Sequence, residues 1–355
     1  MRNGYPLVEL HRHLDGNVRL ETIIALCRQH GLHLPGWTVE ELRPHVQVDK
    51  PVSDVMTFIA RFEWLQQAMV NYEAIRRIAY ENVEDAAREG IDYVELRFSP
   101  FFMAQKHSLD PVAVAEAVCD GLAEALKALP VQARLIGIMS RTYGPEPCWQ
   151  ELEAAIHCRD RGVVAVDLAG DEANFPGELF VDHFRRAQEA GLHVTVHAGE
   201  SAGPESVRQA VLELGAERLG HAVRAVDDEA TMDLLAERGI GIESCLTSNV
   251  QTRTVPGYAD HPLPIFLRRG LLVTLNTDDP GISNIDLAHE YAVAERELGL
   301  TAAELRQLQE NAVEVAFLTP QEREALSGAA TTVAPDAAQA AQGVSLQEVD
   351  QKPGF

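Results

Sequence analysis

Eight short aliphatic runs, each followed by a stretch with helical periodicity, constrain this chain more than any other feature of its sequence. They are Leu7–His11, Ile91–Phe98, Gln132–Met139, Val163–Leu168, Leu192–His197, Arg218–His221, Gly239–Cys245 and Leu271–Asn276. Runs such as VVAVDLAG and LLVTLNTD are almost continuously apolar. That suits strands buried on both faces of a parallel sheet, whereas a half-solvated antiparallel sheet would alternate apolar and polar residues. Eight alternations of strand and helix predict an α/β fold closed as a TIM (β/α)8 barrel.

The interval between the first two runs is too long for one helix and predicts a helical insertion, from about residue 30 to 71, over one mouth of the barrel. Within it Val55, Phe58, Ile59 and Phe62 recur at i, i+3, i+4 and i+7, one apolar helix face, with Ser53 or Asp54 available as N-cap. Ordinary helix packing accounts for that stripe. Residues 1–327 then form a single domain. Residues 328–355, rich in Ala, Gln, Gly, Ser and Thr, read as a disordered tail.

Composition narrows the partners. Of 355 residues, 54 are acidic and 30 basic, a net charge of −24 that repels phosphate backbones and argues against nucleic acid. No apolar run approaches the roughly 20 residues of a membrane span. Five cysteines without a CxxC pair read as free thiols, and with no signal-like start the expected setting is the cytoplasm. Nothing implies an obligate protein partner.

Barrel enzymes place their chemistry at the C-terminal ends of the strands. The first run ends in His11-Arg12-His13, the fifth in His197-Ala198-Gly199-Glu200, the sixth in His221, and the eighth in Asn276-Thr277-Asp278-Asp279. His11 and His13, two apart on a strand, share a face. With His197 and Asp278 they make a donor set suited to one Zn2+. Zinc lowers the pKa of a bound water to about 7, so hydrolytic attack on an electron-poor ring carbon becomes accessible. That reaction also needs a proton donor, and Glu200, kept protonated by a desolvated site, is placed for it. His221 is placed to orient the attacking oxygen and share its proton. Of the adjacent carboxylates, Asp278 goes to the metal and Asp279 to the substrate base; Asp-Asp before Pro-Gly is also ordinary turn chemistry.

These residues resemble the adenosine deaminase family, over about Leu7 to Leu326. HRHLDG at 11–16, Ser140-Arg141, DLAGDE at 167–172, HAGE at 197–200, SCLTSN at 244–249 and NTDDP at 276–280 are similar to its motifs, in its order. The resemblance implies one zinc on His11, His13, His197 and Asp278, with His13 also facing the substrate, and a proton passed from Glu200 to purine N1. His221 and Asp278 would handle the hydroxide. It further implies that the Gly170 N–H meets N3, that Asp279 pairs with N7, and that Asp15 binds the ribose 5′-hydroxyl. Phe58 and Phe62, within the apolar stripe, would form a lid. The implied reaction converts adenosine and 2′-deoxyadenosine to their inosines with release of ammonia, as in purine salvage. One departure is Ala222, where the family usually has Gly.

Other readings differ at identifiable residues. Adenine deaminases resemble a pattern with Glu at the place of Asp15. An AMP deaminase would call for cations near the mouth, where only Arg12, Arg97 and Arg141 stand out. Dinuclear amidohydrolases commonly carry a lysine on the fourth strand, absent here. The HxE and PCxxC signature of cytidine-type deaminases is absent as well. A nucleoside-binding barrel without turnover would have no use for Glu200 and His221.

Overall fold

The computed structural model describes residues 5–53, 57, 58 and 60–332. Eight parallel strands run in chain order: β1 (Val8–His13), β2 (Tyr93–Phe98), β3 (Gln132–Ser140), β4 (Val163–Ala169), β5 (His193–Ala198), β6 (Arg218–His221), β7 (Gly241–Ser244) and β8 (Leu272–Leu275). Each pairs with its sequence neighbour. β8 meets β1 just beyond its own end. Arg12 and Asp278 form a parallel bridge there, the His13 N–H donates to the Asp278 carbonyl at 2.7 Å, and the Asp278 N–H donates to the His11 carbonyl at 3.0 Å. Leu10 N–H is taken up by the Asn276 side chain at 2.8 Å. The expected barrel is therefore present, and its closing seam runs through the segments that carry His11, His13 and Asp278.

Strand periodicity divides the wall. Val94, Leu96 and Phe98 of β2, like Val194, Val196 and Ala198 of β5, are buried with the aliphatic helix faces in one continuous core. The alternate positions, Glu95 and Arg97, Thr195 and His197, meet polar residues of other strands across the interior. At the opposite end, the Phe317 N–H donates to Glu95 at 2.8 Å and the Phe317 ring lies 3.6 Å beneath the Arg218 guanidinium.

The insertion after β1 contains the helices Val39–Val46 and Phe62–Ala68. The first starts in a capping box, with Thr38 accepting from Glu41 N–H and Glu41 returning to Thr38 N–H. Phe58 and Phe62 do not share one helix: Arg61 N–H bonds to the Phe58 carbonyl at 3.0 Å, an i to i+3 turn, and a new helix begins at Phe62. The expected single apolar face is corrected accordingly; Asp54, Val55 and Ile59 lie outside the described residues. The end of the domain is corrected too. A helix, Pro320–Thr332, crosses the expected boundary at 327, with Leu326 buried; the rest of the expected tail, 333–355, lies outside the described residues. No described helix is long and apolar enough to cross a membrane.

Candidate active site at the C-terminal mouth of the barrel

Four side chains predicted from strand ends meet at one point. Ligand atoms of His11, His13, His197 and Asp278 all lie within 4.8 Å of one another, and all four residues are buried. His11 Nε2 is 3.1 Å and His13 Nε2 3.3 Å from Asp278 Oδ1, and the Nε2 atoms of His13 and His197 are 3.4 Å apart. A tetrahedral ion with ligands near 2.0–2.1 Å separates them by about 3.3 Å, so this set fits a single metal ion. His11 Nε2 has no hydrogen-bond partner although fully buried, as a nitrogen reserved for a metal would be.

The other nitrogen of each ring is held. His11 Nδ1 is 2.8 Å from Glu243, and His197 Nδ1 is 3.0 Å from Asp167. Arg97 lies between these carboxylates, donating to Asp167 at 2.8 Å and to Glu243 at 2.7 Å, while Arg218 and Thr195 donate to the other Glu243 oxygen. Such partners fix imidazole orientation and raise its basicity toward a metal. Burial lowers His197 to about 3 and also lowers His11, so both are neutral. His13 differs. Burial works against its charge, yet Asp279, Asp15 and Asp278 raise it well above the ordinary value. The carboxylates thus demand a positive charge at this point, which a bound cation would supply while leaving the ring neutral.

Beside the cluster stand the groups for proton transfer. Burial pushes the Glu200 carboxyl up; His221 opposes this, and Asp278 and Glu172 add to it. His221 Nε2 is 3.9 Å from Glu200 and 3.8 Å from Asp278. Its tautomer follows from a relay that starts at a backbone amide. Leu263 N–H donates to His261 Nδ1 at 3.1 Å, so His261 Nε2–H donates to Asn249 Oδ1 at 3.1 Å, and the Asn249 NH2 then faces His221 Nδ1 at 3.0 Å. Burial lowers His261 to about 3, consistent with a neutral link. The proton of His221 is therefore on Nε2, facing Asp278 and Glu200.

The cavity beside these groups is lined by Asp15, Phe58, Phe62, Gly170 and Asp279 among others, so each expected substrate-facing residue borders the same space. Asp15 Oδ2 accepts from Ser99 N–H at 2.9 Å, and its Oδ1 has no hydrogen-bond partner. Burial pushes Asp279 well above the ordinary value, with His13 opposing and Asp278 adding. Gly170 sits at φ +108°, and a Cβ there would collide with the Thr142 hydroxyl. Ala222 does adopt a left-handed conformation, φ 49°, between His221 at φ 63° and Val223.

The three arginines considered for a phosphate are spoken for. Arg12 binds Glu9 and Glu89, Arg97 lies in the lattice under the histidine–aspartate cluster, and Arg141 donates to the carbonyls of Phe175, Leu168 and His197. The residues that sequence reasoning left without a role are Glu243, Asp167, Arg218, Asn249 and His261. For Glu243, Asp167 and Arg218 the signal was a charge inside an otherwise apolar strand, as in GIES and VVAVDLA; Asn249, in the short helix Leu246–Gln251, closes the SCLTSN motif without a role assigned to it, and His261, in a loop, carried no signal.

The family profile described as Adenosine deaminase matches residues 6–332. The chain is 56% identical over 321 residues to an adenosine deaminase of Serratia proteamaculans and 54% identical to one of Escherichia coli, in each case covering 90% of this chain and 96% of the relative. Among solved structures it is similar to an adenine deaminase from Arthrobacter aurescens, at TM-score 0.82 and 25% identity over 92% of this chain and 98% of that one. It is also similar to an Arabidopsis N6-mAMP deaminase, at TM-score 0.79 and 28% identity over 93% and 98%.

Proposed function

The chain belongs to the adenosine deaminase family and is a hydrolase that deaminates adenosine; from that premise we propose that it does so with one Zn2+ held by His11, His13, His197 and Asp278, and that Glu200 is its proton donor. The observation that carries this reading is the meeting of three imidazoles and a carboxylate beside a buried, raised Glu200. When bound, the metal supplies Lewis acidity that makes a water nucleophilic near neutral pH.

The protein side chains do the rest. Protonated Glu200 gives its proton to ring N1, which draws electron density from C6 and opens it to attack. His221 meets the attacking oxygen as a donor through Nε2–H, which leaves Asp278 as the carboxylate that takes the water proton. Once the oxygen has bonded to C6, Asp278 passes the proton it took to the amino group, the C6–N bond breaks to release ammonia, and the C6 hydroxyl proton returns to Glu200, leaving inosine; 2′-deoxyadenosine follows the same course. The Gly170 N–H meets N3. Asp279, kept protonated by burial, donates to N7. The free Oδ1 of Asp15 accepts the ribose hydroxyl, and Phe58 and Phe62 cover the nucleoside. Among the described residues the cavity lining has no Lys or Arg, which favours a nucleoside over a nucleotide. Five free, buried cysteines support a reducing, cytoplasmic setting.

The test follows the loss of adenosine's ultraviolet absorbance in purified protein, metal-loaded and chelated, with adenine and AMP in parallel, and repeats it in Glu200→Gln. Expected are turnover of adenosine alone, its loss on chelation, and a Glu200→Gln protein that keeps its metal but loses at least about a hundredfold in kcat. Near-normal turnover in that variant overturns the proton-donor assignment; equal turnover of adenine overturns the role of Asp15.

A further inference from the structure

Glu172 lies in the loop after β4, two residues beyond Gly170, and is 3% exposed. Its Oε1 accepts from Gly199 N–H at 2.7 Å and from the Ser206 hydroxyl at 2.5 Å. Its Oε2 accepts from the N–H groups of Glu200 at 3.1 Å, Ser201 at 2.8 Å and Ala202 at 3.0 Å. One side chain thus gathers four consecutive backbone amides, turned toward it by Gly199 at φ +70°. Amides converging in this way form an anion nest, and a carboxylate, an acceptor on both oxygens, is the group that suits it. The arrangement is not a helix cap. The four amides precede the helix Pro204–Leu212, whose N-cap is Gly203.

We propose that Glu172 is a positioning residue for the reaction: it fixes the backbone that aims Glu200 at ring N1, and ties that backbone to the Gly170 loop that meets N3. One carboxylate then sets the spacing between the two contacts to the pyrimidine ring of the purine. The inference rests on the assignment of Glu200 to N1. Gln at 172 would keep one acceptor oxygen and turn an NH2 toward N–H donors, releasing the loop. Asp would keep the charge and fall short by a methylene.

The experiment measures inhibition constants, on metal-loaded protein, for two nucleosides without the 6-amino group: purine ribonucleoside, and its analogue with carbon in place of N1. The ratio of the two constants reads the Glu200–N1 contact. Glu200→Ala is expected to abolish the preference for N1. Glu172→Gln is expected to cut it by about tenfold or more while binding of the N1-less analogue and metal content stay unchanged, with Glu172→Asp in between. A wild-type ratio in both Glu172 variants, with the preference lost in Glu200→Ala, overturns the positioning role alone. A preference that survives Glu200→Ala overturns the assignment of Glu200 itself. Equal weakening of both nucleosides in the Glu172 variants means a structural role and also overturns the proposal. Should Glu172→Gln fail to fold, Glu172→Asp carries the same comparison.

Discussion

Three residues of the mouth depend on backbone that L-residues seldom adopt: His221, Ala222 and Asp278 all have φ between 49° and 69°. For His221 and Asp278 the side chain explains the conformation, since both face the buried histidine–aspartate cluster, and strain held at such sites is a common cost of orientation. Ala222 has no such reason. A left-handed Ala costs about 1–2 kcal/mol, against roughly 0.4–1 kcal/mol for the added unfolded-state freedom of Gly. Ala222→Gly is therefore expected to stabilise the protein by up to about 1 kcal/mol, checked by chemical denaturation at constant metal. The sequence marked Ala222 as a departure, but a residue name carries no φ. That angle is set where β6 ends and the chain turns into the 3-10 segment Val223–Asp227.

Strand β7 shows how a whole element serves the site without supplying a ligand. Its Glu243 accepts from His11, Arg97, Arg218 and Thr195 in the fully buried interior. Burial would raise its carboxyl, but Arg97 and Arg218 hold it well below the ordinary value, so it is charged. Glu243→Gln is expected to weaken metal affinity by about 10–100-fold, read by competition with a chelator, with Glu200 and the cavity intact. Removing one member of such a lattice also leaves Arg97 and Arg218 short of a counter-charge, so a lower Tm accompanies the loss. The insertion teaches the opposite lesson. Phe58 and Phe62 keep the spacing of a helix face but are joined by a turn at Ala60-Arg61, where Arg61 reaches the carbonyls of Pro44 and His45. A tertiary contact there overrides periodicity, and both rings still border the cavity.

Stability of the folded chain as a whole should depend on pH in a direction set by its buried acids. Burial pushes Glu151 up to about 8, with Ser99 and the Ser140 and Phe101 amides opposing, and pushes Glu290 to about 8 as well. Between the ordinary value of 4.5 and about 8 the folded state holds protons that the unfolded chain releases, so these two groups make stability fall as pH rises through that window. Asp167 and Glu243 act with the opposite sign: both lie below their ordinary values, and their contribution is lost on acidification. Glu151→Gln is expected to flatten the decline between those limits, seen as a smaller drop in Tm across the window; an unchanged slope would mean that Glu151 is ionised throughout.

Strand number, barrel class and the meeting of four candidate metal-binding side chains were legible because local rules reach them. Buried parallel strands are apolar runs, and a parallel barrel brings every strand's C-terminal end to one mouth, so His11, His13, His197 and Asp278 meet once the runs are counted. The supports were not legible. Glu243 lies 232 residues from His11, Glu172 reaches five donors between 27 and 34 residues away, and Asn249, in the helix Leu246–Gln251, links a loop histidine, His261, to His221 at the end of β6. Which of these side chains touch depends on strand register, on the seam between β8 and β1, and on the direction each Cβ takes into the interior. No local pattern encodes those three quantities; they exist only once the barrel has closed.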